Sequence, residues 1–121
     1  MRGTMVPTMS EKLKKRHEFS RVFQRGKRVS SRHITLHYQA VSGRRVNKVG
    51  FSTARKVGTV VRRNRLKRLL REAWRHLSPE LQQGYDVVLL GRTGKQGVMP
   101  DYQTICRELR GLAEKAGLID E

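Results

Sequence analysis

The sequence predicts a single-domain α+β fold with the element order α-β-β-α-β-α, and three observations predict it. Three segments have apolar residues at helical spacing, and the longest of them is strongly basic. Between them, apolar and polar residues alternate as in strands with one buried face. A short run of consecutive apolar residues predicts a further strand, buried on both faces. One sheet with helices packed on it, as a single sandwich, accommodates all of these segments.

The chain begins with a segment that has no periodicity. Residues 1–10 contain Pro7 and no long apolar core, which predicts a flexible lead and argues against a secretory signal. The remaining residues, 11–121, are predicted to form the single domain. The translation start is left open by three methionines in the lead: Met1, Met5 and Met9.

A short helix and a hairpin are predicted next. A basic arm at residues 12–16 leads into a helix at residues 18–25, which Gly26 ends as a left-handed cap. Residues 29–41 alternate between apolar and more polar side chains and predict one strand. A glycine-containing turn and a returning strand at residues 46–53 would complete the hairpin.

The basic helix is the most distinctive segment, and Thr59 is its predicted N-cap. Between Arg62 and Arg75, seven of 14 residues are Arg or Lys, and only Glu72 is acidic. On a helix, one face is apolar and the opposite face is basic. The basic face comprises Asn64, Lys67, Arg68, Arg71 and Arg75. Like charges at this spacing repel each other, so the pattern favours a bound polyanion over a merely solvated helix face.

The remaining elements are predicted by their terminal residues. The pair Ser78-Pro79 ends the basic helix, and residues 85–90 form the short apolar strand. After a glycine-rich loop, Asp101 begins a final helix that Gly117 ends. Cys106 falls among the apolar positions of this helix and is interpreted as a small buried side chain.

The charge distribution limits the classes of partner. The formal net charge is +17 and the isoelectric point about 11.4. Residues 1–75 contain 22 Lys and Arg against 3 acidic residues, whereas residues 76–121 contain 5 against 7. A surface this basic is typical of nucleic-acid binding. The chain has no apolar run of membrane-spanning length, and its single cysteine excludes an internal disulfide and a cysteine-based zinc finger. These features fit a cytoplasmic protein of a bacterium-like cell.

Phe19 and Phe23 allow two interpretations. Their i, i+4 spacing places them on one helix face, which favours a core position. They also lie in the most basic region of a chain with only seven aromatic residues. Aromatic side chains beside arginines stack on unpaired bases, so composition alone favours core without excluding this role.

No protein active site is evident in the sequence. The carboxylates form no close pair of the kind that a two-metal nuclease uses. The histidines show no metal-ligand spacing, although a ribonuclease with a converging histidine pair stays open. They are His17, His33, His37 and His76. The loop at residues 91–97 lacks the Gly-Lys-Ser/Thr ending of a phosphate-binding loop.

The segment at residues 54–74, ARKVGTVVRRNRLKRLLREAW, resembles the signature of the protein subunit of bacterial ribonuclease P. The core of that signature is Arg-Asn-Arg in a basic helix, here residues 63–65. The similarity extends to residues 18–23, with Gly26, to residues 49–52 and to residues 85–88. It thus spans nearly the whole chain, in the right order and spacing.

The resemblance implies a small partner of a catalytic RNA that removes the 5′ leader from precursor tRNA. In that family the endonucleolytic chemistry belongs to the RNA and its magnesium ions, so no catalytic residue, metal site or cofactor is expected on the protein. The implied partners are the catalytic RNA and precursor tRNA, and neither DNA nor a membrane. The implied fold is a ribosomal-protein-like sandwich, in which the crossover through the basic helix is left-handed rather than right-handed as is usual.

The resemblance also assigns roles to residues. The basic helix would contact the catalytic RNA through Arg62, Arg63, Asn64, Arg65, Lys67, Arg68 and Arg71. The precursor's leader would lie between the first helix and the sheet, against Phe19, Phe23, His37, Arg55 and Lys56. The family assignment thus reverses the composition-based interpretation of the two phenylalanines. His37 stands where a relative has an aromatic residue.

Two other classes of protein share parts of this pattern. A structural ribosomal protein would have the basic ridge but little need for an aromatic cleft. A DNA-binding domain would place the helix in a major groove, where reading bases requires a few polar side chains over a short span. This ridge is long and nearly all cationic, so the pattern favours contacts to phosphates.

Overall fold

The computed structural model describes residues 11–119, and within them the predicted α+β class is confirmed. The strands and helices in chain order are β1 (Glu11–Lys12), α1 (Arg16–Arg25), β2 (Lys27–Ser30), β3 (Ile34–Ala40), β4 (Lys48–Thr53), α2 (Val60–Leu77), β5 (Tyr85–Gly91) and α3 (Tyr102–Ala116). Short 3-10 turns occur at Arg55–Val57, Ser78–Glu80 and Lys95–Gly97. The expected lead, residues 1–10, lies outside the described residues.

The sheet has the strand order β1-β4-β5-β3-β2, with β5 at its centre. β5 pairs antiparallel with β3 and parallel with β4, and β1 pairs parallel with β4. The predicted hairpin is therefore wrong, because β5 lies between β3 and β4. The physical reason is the apolar run at Val87, Val88 and Leu89, which are all fully buried. A strand that is apolar on both sides is most stable in the middle of the sheet.

Asn47 fixes the beginning of β4 beside the beginning of β5. Its side-chain oxygen accepts a hydrogen bond from the Tyr85 backbone N–H at 2.8 Å, and its side-chain amide donates to the Gln82 carbonyl at 3.0 Å. Its own backbone N–H donates to the Gln83 side chain at 3.0 Å. Asn47 is fully buried. These bonds fix the end of the β3–β4 connection against the residues that precede β5.

The predicted strand at residues 29–41 is in fact two strands, and β1 was not predicted at all. β2 pairs antiparallel with β3 and forms one edge of the sheet, while β1 forms the other. β1 is only two residues long, and β2 begins with Lys27 and Arg28, which edge strands tolerate, so neither has the apolar alternation of a strand. Gly26 is extended, with φ of −79°, so the predicted left-handed cap is wrong. A Cβ there would lie 2.7 Å from the Tyr38 carbonyl oxygen, so close backbone packing is what requires glycine.

The two longer helices begin and end at the predicted residues. The Thr59 side chain accepts a hydrogen bond from the Arg62 backbone N–H, and the Asp101 side chain accepts one from the Thr104 backbone N–H. α2 ends at Ser78, and Gly117 ends α3 in the left-handed conformation with φ of 78°. α2 connects the parallel neighbours β4 and β5, as the expected crossover requires. The hand of that crossover stays a prediction.

The sheet has helices on both faces. α2 and α3 cover one face over the main core, which includes Leu66, Leu70, Trp74 and Ile105. α1 covers the other face over a small cluster formed by Leu13, Val22 and Val88, with Phe19 packed against it. Cys106 is only half-buried, at the edge of the main core. The two helical layers therefore present separate surfaces on opposite sides of the sheet.

Candidate nucleic-acid interface

The basic face of α2 points to solvent. Leu66, Leu70 and Leu77 are buried against the sheet and α3, which fixes the rotation of the helix. From residue 62 to the end of α2, the exposed residues are Asn64, Arg65, Arg68, Arg71, Arg75 and His76. We refer to Asn64, Arg65, Arg68, Arg71 and Arg75 as the basic ridge. The helix buries its leucines, so the ridge is a rigid row of positive charge.

Few acidic groups neutralise the basic ridge. Arg68 Nε lies 3.3 Å from Glu72 Oε1, and the two side chains are 76% and 41% exposed. An exposed pair of this kind is worth less than about 1 kcal/mol, so it leaves Arg68 available to a stronger anion. Within residues 11–119, Arg65, Arg71 and Arg75 form no salt bridge. Most of the ridge charge is thus uncompensated.

One ridge arginine is oriented by an aromatic ring. The guanidinium carbon of Arg71 lies 5.6 Å from the centroid of the Phe51 ring. Phe51 lies on β4 and is half-buried, packed against the main core. A cation–π contact at this distance stabilises the arginine by about 0.5–1 kcal/mol at an exposed site. Phe51 therefore holds Arg71 close to the sheet while its charge stays accessible.

Three of the predicted RNA-contacting residues are only partly exposed. Arg62 donates through Nε to the Val57 carbonyl oxygen at 2.8 Å and through Nη2 to the Gly97 carbonyl oxygen. Arg63 is half-buried, and its Nε has no hydrogen-bond partner within the described residues. Lys67 is also half-buried. The predicted set thus divides into an exposed ridge and inner residues, because the beginning of α2 lies against neighbouring loops.

The two phenylalanines of α1 have different environments. Phe19 is half-buried and packs over Gly50 so closely that a Cβ on Gly50 would lie 2.5 Å from its ring. Phe23 is 44% exposed, and its ring meets the His37 ring edge-to-face with centroids 4.6 Å apart. Phe19 thus fits the core interpretation, whereas Phe23 is exposed and packs on the buried His37; we refer to Phe23 and His37 as the aromatic pair.

His37 is held neutral by its surroundings. It is a buried residue whose neighbours across the sheet are Val88 on β5 and Arg28 on β2. Burial lowers the pKa of the His37 imidazole below 6.5, and the positive charge of Arg28 lowers it further. A neutral imidazole can stack, and its two nitrogens offer one donor and one acceptor. Sequence reasoning missed Arg28 because the strand that carries it was not recognised.

A polar row lies beside the aromatic pair on the same face of the sheet. Thr35 pairs with Leu90 on one side and with Ser30 on the other, and the Thr35 and Ser30 hydroxyl oxygens are 3.1 Å apart. Arg92 donates to the Thr35 hydroxyl at 2.6 Å and to the Ser31 carbonyl. This row offers hydroxyls and one guanidinium next to Phe23 and His37. Only the alternation of β3 could have indicated Thr35 from the sequence.

Arg55 and Lys56 lie at the end of β4, away from the aromatic pair. Both are exposed on the turn Arg55–Val57, just beyond the pairing of Thr53 with Gly91. Gly91 follows Val88, the partner of His37, by three residues, which is about 10 Å along a strand. A ligand must therefore extend over more than one nucleotide to contact both groups. The structure does not bring all five predicted leader-contacting residues into one cluster.

Metal sites and membrane spans each require a recognisable arrangement of residues. Across residues 11–119, His, Cys, Asp and Glu side chains form no group of three or more that could hold a metal ion. None of the helices in the described part of the chain combines the length and apolar character of a membrane span.

Together, the fold and the surface define a class of protein. It is a small, strongly basic α+β sandwich with a cationic helix on one face of its sheet and an exposed aromatic ring, Phe23, on the other. The family model for ribonuclease P matches residues 8–117. The ribonuclease P protein component of Caldanaerobacter subterraneus subsp. tengcongensis is 44% identical over 110 residues, covering 91% of this chain and 92% of that protein. The counterpart in Natranaerobius thermophilus is 40% identical over 109 residues, covering 90% and 92%. The chain therefore belongs to the ribonuclease P protein component family.

Solved structures agree with this assignment. The ribonuclease P protein of Thermotoga maritima superimposes with a TM-score of 0.76 at 27% identity, covering 87% of this chain and 96% of that one. The Staphylococcus aureus protein gives a TM-score of 0.79 at 20% identity, covering 93% and 100%, which supports the fold alone. Family membership implies a role in tRNA 5′ processing as part of an endoribonuclease complex with an RNA partner.

Proposed function

We propose that this protein binds the catalytic RNA of ribonuclease P through α2 and the 5′ leader of precursor tRNA through the opposite face of the sheet. Hydrolysis of the phosphodiester would be carried out by the RNA and its magnesium ions, and the complex would work in the cytoplasm. The observation that carries the proposal is the basic ridge, a rigid and mostly unpaired row of arginines in a member of this family. Its charge is complementary to a folded RNA backbone.

The ridge favours phosphate contacts over base recognition. Arginine presents a planar fork that matches phosphate oxygens, and Arg65, Arg68, Arg71 and Arg75 recur at every third or fourth position of α2. This spacing places a guanidinium at each turn of the helix, about 5.4 Å apart along the axis. A folded RNA presents phosphates at similar intervals, so several contacts can form at once. Each contact releases counterions and adds to affinity.

The α1 face supports a different kind of contact. Phe23 presents an exposed ring on which an unpaired base can stack, and the buried His37 ring supports it edge-to-face from the sheet. The exposed Ser30 hydroxyl and the half-buried Arg92 guanidinium can bind the edge of that base or the backbone. Arg55 and Lys56, about 10 Å further along the sheet, suit phosphates of the same extended strand. A single-stranded leader has unpaired bases and an extended backbone, whereas mature tRNA lacks this segment.

The other classes considered fit the structure less well. A ribosomal protein has no need for an exposed aromatic ring beside a polar row. A histidine-pair ribonuclease requires two accessible imidazoles that converge, but His33 Nδ1 lies 2.6 Å from a Glu108 carboxylate oxygen and His37 is buried under Phe23. His17 and His76 are exposed but lie on α1 and α2, on opposite faces of the sheet. Duplex DNA lacks the unpaired bases that the α1 face suits.

The test is cleavage of precursor tRNA by a bacterial ribonuclease P RNA at low magnesium, with and without this protein. We expect the protein to restore cleavage at a magnesium concentration where the RNA alone is nearly inactive, because the ridge replaces part of the cation requirement of the RNA. Cleavage by the protein without the RNA would contradict the assignment of the chemistry to the RNA. Equal cleavage with and without the protein would contradict the proposed function.

A further inference from the structure

Arg62 differs from every residue of the basic ridge in what its guanidinium contacts. It donates through Nε to the Val57 carbonyl oxygen at 2.8 Å and through Nη2 to the Gly97 carbonyl oxygen. Val57 belongs to the turn Arg55–Val57, and Gly97 to the turn Lys95–Gly97. These turns are about 40 residues apart in sequence, and Arg62 bonds to both. The arginine therefore connects two separate loops to the beginning of α2.

The surrounding backbone fits this arginine closely. Gly58 has φ of 116°, and a Cβ on it would lie 3.4 Å from Arg62 Cδ and Nε. Gly97 also has a positive φ, of 73°, and its N–H donates to the Gly94 carbonyl at 3.1 Å. Each loop thus has a residue with positive φ at or next to the carbonyl that accepts from Arg62. Local backbone hydrogen bonds hold each loop internally, and the bonds from Arg62 join one loop to the other.

The two loops carry exposed cationic side chains that do not belong to the basic ridge. Arg55 and Lys56 are exposed on the first loop, and Lys95 is exposed on the second. A cavity between the loops is lined by Lys56, Arg92 and Gln96, among others. Gln96 has φ of 62°, an unusual conformation for a residue other than glycine. Arg62 therefore joins the two loops that carry these cations.

We infer that Arg62 is a positioning residue, whose guanidinium fork holds the two loops so that Arg55 and Lys56 bind phosphates of the precursor's leader. This inference rests on the proposed function, and it removes Arg62 from the phosphate-binding set on α2. Arg62 acts through its two carbonyl partners and not through its charge. Lysine cannot replace it, because an ammonium on a flexible stem does not reproduce the planar fork.

The test compares Arg62→Lys with the matched change Arg107→Lys on the exposed surface of α3. We expect Arg62→Lys to reduce the preference for precursor over mature tRNA by about tenfold, the effect of losing one charge-assisted hydrogen bond in the holoenzyme. Arg107→Lys should leave this preference unchanged. Full retention of the preference in Arg62→Lys would overturn the inference, because it would show that the charge alone suffices.

Two further readouts separate positioning from direct binding. In the free protein, Arg62→Lys should speed hydrogen exchange at the Val57, Gly58 and Gly97 amides, and Arg107→Lys should not. In the complex, Arg62→Gln should leave the salt dependence of catalytic-RNA affinity unchanged, whereas Arg65→Gln should flatten it by about one ion. A flattened dependence in Arg62→Gln, or unchanged exchange in Arg62→Lys, would overturn the inference.

These readouts also separate this inference from the proposed function. Wild-type protein that shows no preference for precursor tRNA would contradict the leader assignment, and with it the functional half of the inference. The hydrogen-exchange result needs no RNA, so it decides by itself whether Arg62 holds the loops.

Discussion

Neighbouring side chains of the same type have different roles in this protein. Phe19 and Phe23 lie one helical turn apart, yet Phe19 covers Gly50 and Phe23 leaves 44% of its surface exposed beside His37. Likewise, Arg62 bonds to backbone carbonyls while Arg65 points to solvent. Helical spacing predicts which face a residue shares but not how far the opposing layer reaches over it. The sequence therefore could not predict which phenylalanine is covered and which is exposed, or which arginine bonds to the backbone and which faces solvent.

The two phenylalanines should respond differently to truncation. Phe23→Ala should weaken binding of precursor tRNA by about 1–3 kcal/mol, because one base loses its stacking partner, and should leave mature tRNA binding unchanged. Phe19→Ala should instead lower the free energy of unfolding, by up to about 3 kcal/mol, because it opens a cavity over Gly50. Equilibrium binding and urea denaturation of both variants check this. Equal losses for both RNAs with Phe23→Ala would indicate a packing defect instead of a base contact.

His37 should make stability depend on pH below 6.5. Its pKa in the folded protein is lowered by burial and by Arg28, so the unfolded chain binds a proton first as the pH falls. The free energy of unfolding should therefore decrease from about pH 6.5 down to the folded pKa of His37. His37→Phe keeps a ring against Phe23 and removes the titration, so its stability should vary less over this window. Parallel denaturation curves for wild type and His37→Phe across this range would contradict the assignment.

At the scale of elements, local signals predicted the helices better than the sheet. Thr59, Asp101 and Gly117 are helix-terminal residues whose role depends on nearby backbone groups, and the structure confirms all three. Strand pairing depends on distant segments. The turn after β3 suggested a hairpin between β3 and β4, but β4 pairs instead with the apolar central strand β5. The edge strands were not predicted because β1 is only two residues long and β2 begins with Lys27 and Arg28, which edge positions tolerate.

Asn47 should be essential for the non-local arrangement of β4 and β5. Asn47→Ala removes the buried oxygen that accepts from the Tyr85 N–H, and should lower the free energy of unfolding by about 1–3 kcal/mol. Thermal or urea denaturation measures the loss. Asn64→Ala serves as a control, because it makes the same side-chain change at an exposed position of α2 and should alter stability by no more than about 0.5 kcal/mol. Asn47→Ala with wild-type stability would contradict this role.

At the scale of the whole molecule, one sheet separates the two proposed binding surfaces. α2 lies on the face that it shares with α3, and α1 lies on the opposite face. The proposed contacts with catalytic RNA and with the leader therefore lie on opposite sides of a rigid layer. A protein of 14.0 kDa can in this way contact a large RNA and its substrate at the same time. The net charge of +17 is compatible with such an arrangement, because both ligands are polyanions.

This separation predicts additive effects of mutations. Arg68→Ala on α2 and Phe23→Ala on α1 share no contact, so their costs in free energy for precursor binding by the holoenzyme should add to within about 0.5 kcal/mol. A double-mutant cycle tests this, with the wild type, both single variants and the double variant measured under the same salt conditions. A coupling energy well above this limit would show that the two surfaces act as one.

The central claim is that the basic ridge binds the backbone of the catalytic RNA, and the salt dependence of that binding tests it most directly. Arg68 and Arg71 would be changed together to alanine, and the affinity for the RNA measured from low to high monovalent salt. We predict a slope of log affinity against log salt that is shallower than wild type by about 1.4–1.8, as the loss of two phosphate contacts requires. A slope identical to that of the wild-type protein would contradict the claim.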